Sequence, residues 1–266
     1  MDIATIAGLA IGFAGIVSGF LLEGGHINSL FQVTAALIVF GGTIGATMTS
    51  FTLKDLMNVP KLIMSAISLH VEVEKELLEI FVTMSEKARR DGLLSLETDI
   101  EEGLANAKYD QMLVKGLKLV VDGTEPELVR SMLSDEIYAY EQERKREVNI
   151  FVAAGGFSPT MGIVGTVMGL IHILGNLTGA DPSKLAGSIA LAFIATLYGI
   201  SFANLVYLPI GNKLKLKMER SKHEKEFIIE GVLSIQAGHN PRIVREKLES
   251  LIADFKPSSE TEKKEK

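Results

Sequence analysis

The chain has 266 residues, of which 47% are hydrophobic, with a mean hydropathy of +0.26 and a formal net charge of −6. Apolar and charged residues segregate into blocks, the mark of a protein that crosses a bilayer several times and also carries soluble parts. The absence of cysteine excludes a disulfide framework and a thiolate metal site, and the lack of a basic run interleaved with aromatics argues against a nucleic-acid partner.

Ile3–Leu22 is the first segment apolar and long enough to span. It has no positive n-region and a second apolar segment follows closely, so the expectation is a retained helix and not a signal peptide. Glycines 8, 12, 15 and 19 form a stripe with GxxxG steps, through which helices approach closely in lipid. Leu30–Leu53 is the second predicted span, after a short loop at 23–29.

Residues 54–149 read as helices separated by glycines. Leu77, Leu78, Phe81 and Met84 recur at helical spacing, as do Leu113, Leu117 and Val120. In SEKARRDGLLSLE at 85–97, Lys87, Arg89 and Arg90 close a helix, Gly92 stops it, and Glu97 lies in the next. Cations there complement the helix dipole, and the same turn can also be a charged docking knob for another protein. Thr124-Glu-Pro-Glu127 has the form of a helix start, with a Thr cap and an early Pro. From there no breaker intervenes before Asn149, which predicts one helix running into the third span, Ile150–Gly175.

The third span places Gly162, Thr166 and Gly169 on one face and Gly165 beside them; the fourth, Leu185–Ile210, aligns Ala192, Thr196, Gly199 and Ala203. So many small-residue faces predict an oligomer, because four helices cannot supply all the contacts. The fourth helix is expected to continue past Pro209 into Lys213-Leu-Lys-Leu-Lys217, whose cations suit an anionic membrane surface. The charged end of the chain reads as disordered.

All Lys and Arg except Lys184 fall in 54–149 and 211–266. The positive-inside rule therefore puts both segments and both termini in the cytoplasm, with short outer loops at 23–29 and 176–184. The predicted fold class is all-α: membrane helices in 1–53, a cytoplasmic helical domain in 54–149, membrane helices in 150–210 and a cytoplasmic helical tail in 211–266.

None of the four spans contains Asp, Glu, Lys or Arg. A proton or cation route generally needs an ionisable group in the membrane, so any route here requires a carboxylate from a partner. Thr34, Thr166 and Thr196 could then line it with neutral oxygens, although a threonine in a helix also bonds its own i−4 carbonyl. Pro159 and Pro209 each remove a backbone donor near the cytoplasmic end of a span and can kink it. His172 has no second membrane histidine, so no metal site is expected. Neither a phosphate loop nor a nucleophile elbow is present, so the chain is not expected to be an enzyme and no cofactor is expected.

MDIATIAGLAIGF, ARRDGLLSLE, VDG at 121–123, SPTMGIVGTVMGL, ATLYGI and EGVLSIQAGHNPR at 230–242 together resemble the MotA/PomA family of flagellar stator subunits over nearly the whole chain. The resemblance implies a multi-pass protein of the bacterial inner membrane that forms a homopentamer around two copies of a MotB-like single-span subunit bearing the membrane aspartate. Ion flow then drives torque on the rotor protein FliG. Arg89 and Glu97, with the adjoining Arg90, match rotor-facing charges; Pro159 and Pro209 match the family's functional prolines; Thr196 matches its pore-facing threonine. Thr34 and Thr166 match threonines of sodium-type members, which favours Na+ over H+ as the translocated ion, whereas His172 departs from that pattern. The alternative is a TolQ/ExbB-type proton-driven energiser of envelope transport. Its members have three spans and the opposite N-terminal placement, so four spans and the ARRDGLLSLE stretch favour the motor.

Overall fold

The computed structural model describes residues 3–68, 73–104, 109–175 and 182–254. It is helical throughout, with no strand among the described residues, as the periodicity requires. Among the described residues four helical segments are long and apolar enough to cross a membrane, as in a multi-pass membrane protein. The chain divides into two compact units, Met1–Leu69 with Glu143–Lys217, and His70–Gln142 with Met218–Lys266. The predicted outer loop at 176–184 falls largely outside the described residues, and the predicted disordered end lies wholly outside them.

The first unit holds α1 (Ile3–Leu22), α2 (Val33–Ala36), α3 (Gly42–Ser50), α4 (Leu53–Met57) and α5 (Val59–Ile67). It also holds the later part of α8 (Pro126–Gly175), α9 (Pro182–Phe202) and the start of α10 (Leu208–Gln236). A π-helical turn at Leu37–Gly41 joins α2 to α3, and another at Ala203–Tyr207 joins α9 to α10. The second candidate span is Ile27–Ser50, as long as the predicted Leu30–Leu53 but three residues earlier, and its unbroken helix runs over 33–50. Gln32 is extended, and its amide donates to the Tyr198 hydroxyl at 3.1 Å. At the other end Phe51 is extended, and Thr52 accepts from the Asp55 amide to start α4. Hydrogen bonds outside the helix thus win at both ends, which hydropathy does not register.

Inside this unit, Leu30, Ala35 and Val39 pack on Ile194 and Ala195. Phe40 stacks on Tyr198 at 6.0 Å and meets the edge of Phe202 at 4.6 Å. α5 buries Leu62 and Ala66 against Val148, Ile150, Phe151 and Leu214. α1 buries nothing, and of its glycines only Gly12 faces a neighbour, Leu205. Lipid is as apolar as those side chains, so exposing them to a bilayer carries no hydrophobic penalty.

The second unit contains α6 (Glu74–Asp91), a 3₁₀ turn Leu93–Leu96, a π turn Asp99–Leu104, α7 (Gln111–Val121), the first part of α8, the remainder of α10 and α11 (Pro241–Asp254). Its core joins Leu77, Leu78, Phe81 and Met84 of α6 to Leu113, Leu117 and Val120 of α7. Val129, Leu133, Phe227, Ile228, Val232, Val244 and Leu248 are among the residues that extend it. Each such side chain contributes ~1.5–3 kcal/mol of burial. Asp110 caps α7 by accepting from the Met112 amide at 2.9 Å, and also pairs with the buried Lys225, whose Nζ lies 5.1 Å from the centre of the Tyr140 ring. One expectation is corrected here: α8 starts at Pro126, not from a Thr124 cap. Gly123, at φ 73°, turns the chain so that the Thr124 amide donates back to the Leu119 carbonyl and closes α7. Pro126 then takes the first helical position, where a missing amide costs nothing. α8 runs unbroken for 50 residues through Pro159, as the continuous pattern predicts.

Candidate functional site

The α8–α9 contact is built from glycine. A Cβ on Gly162 would lie 2.9 Å from the Ala195 carbonyl oxygen and 3.1 Å from the Thr196 Cα; one on Gly199 would lie 2.5 Å from the Ser158 carbonyl oxygen. Gly165 and Gly169 have similarly little room against Ala195 and Ala192. The small-residue faces seen in the sequence are therefore consumed by this pair of helices within one chain. Only the stripe on α1 is left largely uncovered.

This closeness brings polar atoms together. The buried Ser158 hydroxyl donates to the Gly199 carbonyl at 3.0 Å. Thr166 Oγ1 and Thr196 Oγ1 are 2.6 Å apart. Thr166 Oγ1 also lies 2.9 Å from the Ala192 carbonyl and 3.2 Å from its own i−4 carbonyl, Gly162, whereas Thr196 Oγ1 is 3.5 Å from that same oxygen. Each hydroxyl has a single proton. The shorter set is Thr196 donating to Thr166, and Thr166 donating across to Ala192. In that arrangement the lone pairs of Thr196 remain available to accept. Thr43 and Thr47, by contrast, only bond back to Val39 and Thr43 at 2.6 and 2.8 Å.

Thr34 is not brought to this pair. It is exposed on α2 and lines a groove of about 460 Å³ with Gln32, Ile38, Met168 and His172. Pro159 sits in the crossing itself, its Cα 3.1 Å from where a Gly199 Cβ would be. It cannot donate to the Gly155 carbonyl one turn back. Pro209 follows the Ala203–Tyr207 π turn, and the Leu205 carbonyl likewise loses its i+4 donor. Both prolines are thus placed where the helix ladder is interrupted. The π turn and Ser158 escaped the sequence reading; Ser158 had only its place beside Pro159 to mark it.

The charged turn is equally well defined. α6 ends at Asp91, Gly92 adopts φ 84°, and Ser95 Oγ donates to the Gly92 carbonyl at 2.6 Å, over a buried Leu96. Arg89 and Glu97 are exposed and take no ion pair among the described residues. Arg90 differs: its Nε and Nη2 bond Asp91 at 2.9–3.1 Å. That contact raises the guanidinium pKa and holds the Asp91 carboxyl below its usual range. Lys87 is committed to Asp99 at 2.8 Å. Among the described residues no group of three His, Asp or Glu side chains could hold a metal.

Known proteins with this pattern are numerous. The family described as the MotA/TolQ/ExbB proton channel family matches residues 104–227, and that described as the motility protein A N-terminal region matches residues 6–92. The chemotaxis protein PomA of Vibrio alginolyticus is 34% identical over 260 residues, covering 98% of this chain and 99% of that protein. Motility protein A of Bacillus subtilis is 34% identical over 249 residues, covering 93% and 90%. Among solved structures, C. jejuni MotAB matches with a TM-score of 0.87 at 30% identity over 97% of this chain and 98% of that one. The flagellar MotAB stator complex from Bacillus subtilis matches with a TM-score of 0.84 at 32% identity, over 95% and 98%.

Proposed function

The chain belongs to the MotA/PomA family of motility proteins, and on that premise we propose that it is the ring-forming subunit of a flagellar stator that turns ion flow into torque. The observation that carries this reading is the Thr196–Thr166–Ala192 hydrogen-bond chain at a glycine-tight crossing, in spans without an acidic or basic residue. A cation entering there meets neutral oxygens only. The carboxylate that takes it up comes from a MotB-like single-span partner, and Na+ suits oxygen ligands of this kind better than H+ does. Five copies surround two partner chains in the cytoplasmic membrane, with both termini inside.

Binding at Thr196 shifts α9 against α8 at the Ser158–Gly199 bond, next to Pro159 and one π turn from Pro209. α8 and α10 each continue without a break into the second unit, which presents Arg89 and Glu97 to the rotor protein FliG. A proton-driven energiser of the TolQ/ExbB kind is the competing reading. The four spans and the match of residues 6–92 to the motility-specific N-terminal region favour the stator. The test is rotation of tethered cells whose only stator is this chain with its native partner, with external sodium varied at constant proton-motive force. Steep sodium dependence supports the reading. Rotation indifferent to sodium makes the ion a proton and returns the threonines to packing. No rotation, with the partner present in the membrane, favours the energiser.

A further inference from the structure

At the end of the second span the first unit contains an apolar groove of about 380 Å³, lined by none of Thr34, Thr166 and Thr196. Its floor is Ile150, Phe151 and Ala154 of α8; its walls include Thr43 and Thr47 of α3, and Tyr207 in the π turn. The two threonine hydroxyls are spent on their own helix, so they present methyl groups to the groove. The volume falls within the ~300–1,000 Å³ of pockets that enclose small ligands.

The rim indicates the occupant. Met48, 54% exposed, lies on a membrane-spanning helix, so the groove opens sideways to hydrocarbon. Leu53 and Met57 continue the rim along α4 and are exposed one turn apart. Beside them, Lys54 and Lys61 are exposed seven positions apart on the α4–α5 stretch, and neither takes an ion pair among the described residues. The nearby carboxylate, Asp55, accepts from the Thr52 hydroxyl at 2.6 Å and pairs with neither lysine, so the stretch carries two ammonium groups against one carboxylate. An apolar slot open to lipid with a net positive charge beside it is complementary to an acyl chain bearing an anionic headgroup. The membrane spans of a second copy contain no acidic residue, so they offer the two lysines no counter-charge.

We infer that this groove binds one acyl chain of an anionic phospholipid, with its phosphate against Lys54 and Lys61 and its chain against Phe151 and Tyr207. The inference rests only on the chain being embedded in a membrane, so it stands or falls separately from the identity of the coupling ion.

The chain has no tryptophan, so a single one introduced into it reports as a difference from the parent complex. Phe151→Trp places it on the floor, at a position only 4% exposed that bulk lipid does not reach, and Met48→Trp places it on the open rim. The assembled complex is reconstituted in phosphatidylethanolamine vesicles containing a minor fraction of either brominated phosphatidylglycerol or brominated phosphatidylethanolamine. The expected result is that Phe151→Trp loses most of its emission with brominated phosphatidylglycerol and little with the brominated zwitterion. Adding Ala154→Phe, which fills the groove, recovers the emission, and Lys54→Gln with Lys61→Gln removes the headgroup preference. Met48→Trp is quenched by both lipids. If Phe151→Trp stays bright in both vesicles while Met48→Trp is quenched, protein fills the groove and the proposal fails; equal quenching by both lipids also overturns it. Should Phe151→Trp not assemble, lipid retained by the unsubstituted complex through detergent exchange decides the matter. Enrichment in anionic phospholipid supports the site, and complete delipidation refutes it.

Discussion

Gly199→Ala adds one methyl group where the α8–α9 crossing has no room for it. The new Cβ would stand 2.5 Å from the Ser158 carbonyl oxygen and 3.1 Å from the Cα atoms of Gly162 and Pro159. All three neighbours are backbone, so no side chain can rotate away. Restoring an ordinary ~3.5 Å contact requires the helices to part by about 1 Å. That displacement lengthens the Ser158–Gly199 hydrogen bond, now 3.0 Å, and the Thr166–Thr196 bond, now 2.6 Å, to or beyond the limit of a hydrogen bond. Overpacking costs about 1–3 kcal/mol, and a buried hydrogen bond contributes about 1 kcal/mol more. Gly156→Ala, in the facing helix α8 and with nothing within 4 Å of its Cβ, is the control. It should be neutral or stabilising by up to ~1 kcal/mol, because alanine favours the helix. The assay is the thermal midpoint of the purified complex in detergent, paired with rotation speed of tethered cells. Gly199→Ala should lower both and Gly156→Ala neither. If Gly199→Ala unfolds and rotates like the parent, the crossing is not the tight, rigid contact described here.

Charge reversal at Arg89 or Glu97 should cut swimming speed at unchanged protein level, with partial rescue by the opposite change on the rotor. Arg90→Ala should matter less, since Arg90 is already neutralised by Asp91; the reverse ranking in a motility assay would refute the assignment. Pro159→Ala supplies the amide that the Gly155 carbonyl lacks and should lower torque while the partner still co-purifies; loss of the partner would indicate a folding role. Lys225→Met strands the Asp110 carboxylate, and should destabilise the complex by about 3 kcal/mol, read by chemical denaturation, at the low end for a buried pair because Asp110 is partly exposed. Glu224 has its pKa pushed up to about 7 by burial and by the nearby Asp110 and Glu74, against the opposing pull of Lys225. A raised carboxyl pKa means the folded chain binds more protons than the unfolded one between its two pKa values. Glu224 therefore favours folding below about pH 4.5, and that contribution is lost as pH rises through 7. Glu224→Gln should flatten this slope in melts between pH 5 and 8.

Much of the fold is legible in the residues because membranes leave few options. A run such as Ile3–Leu22 can satisfy its backbone in lipid only as a helix, so composition and length suffice. Gly92 ends α6 as expected because its φ of 84° is one that residues with a Cβ avoid. The Leu77–Met84 and Leu113–Val120 series predict buried faces because a core must be continuous. Thr124 misled because a polar residue between two helices can serve the end of one as well as the start of the other.

What the sequence determined by itself is the inventory: four apolar spans without a charge, a glycine-rich face on two of them, two prolines near their ends, and a charged turn after α6. Hydrophobicity and helical periodicity are local, and local properties can be read in one dimension. Only the tertiary structure decided which members of that inventory act together. Thr166 meets Thr196 while Thr34 lies in a different groove, and Arg90 is held by Asp91 while Arg89 is not. The ladder opens into π turns at Leu37–Gly41 and Ala203–Tyr207. Each of these depends on the register in which one helix lies against another or on the rotamer a side chain takes. That register is set by the sum of many contacts between residues distant in sequence, and no single residue encodes it.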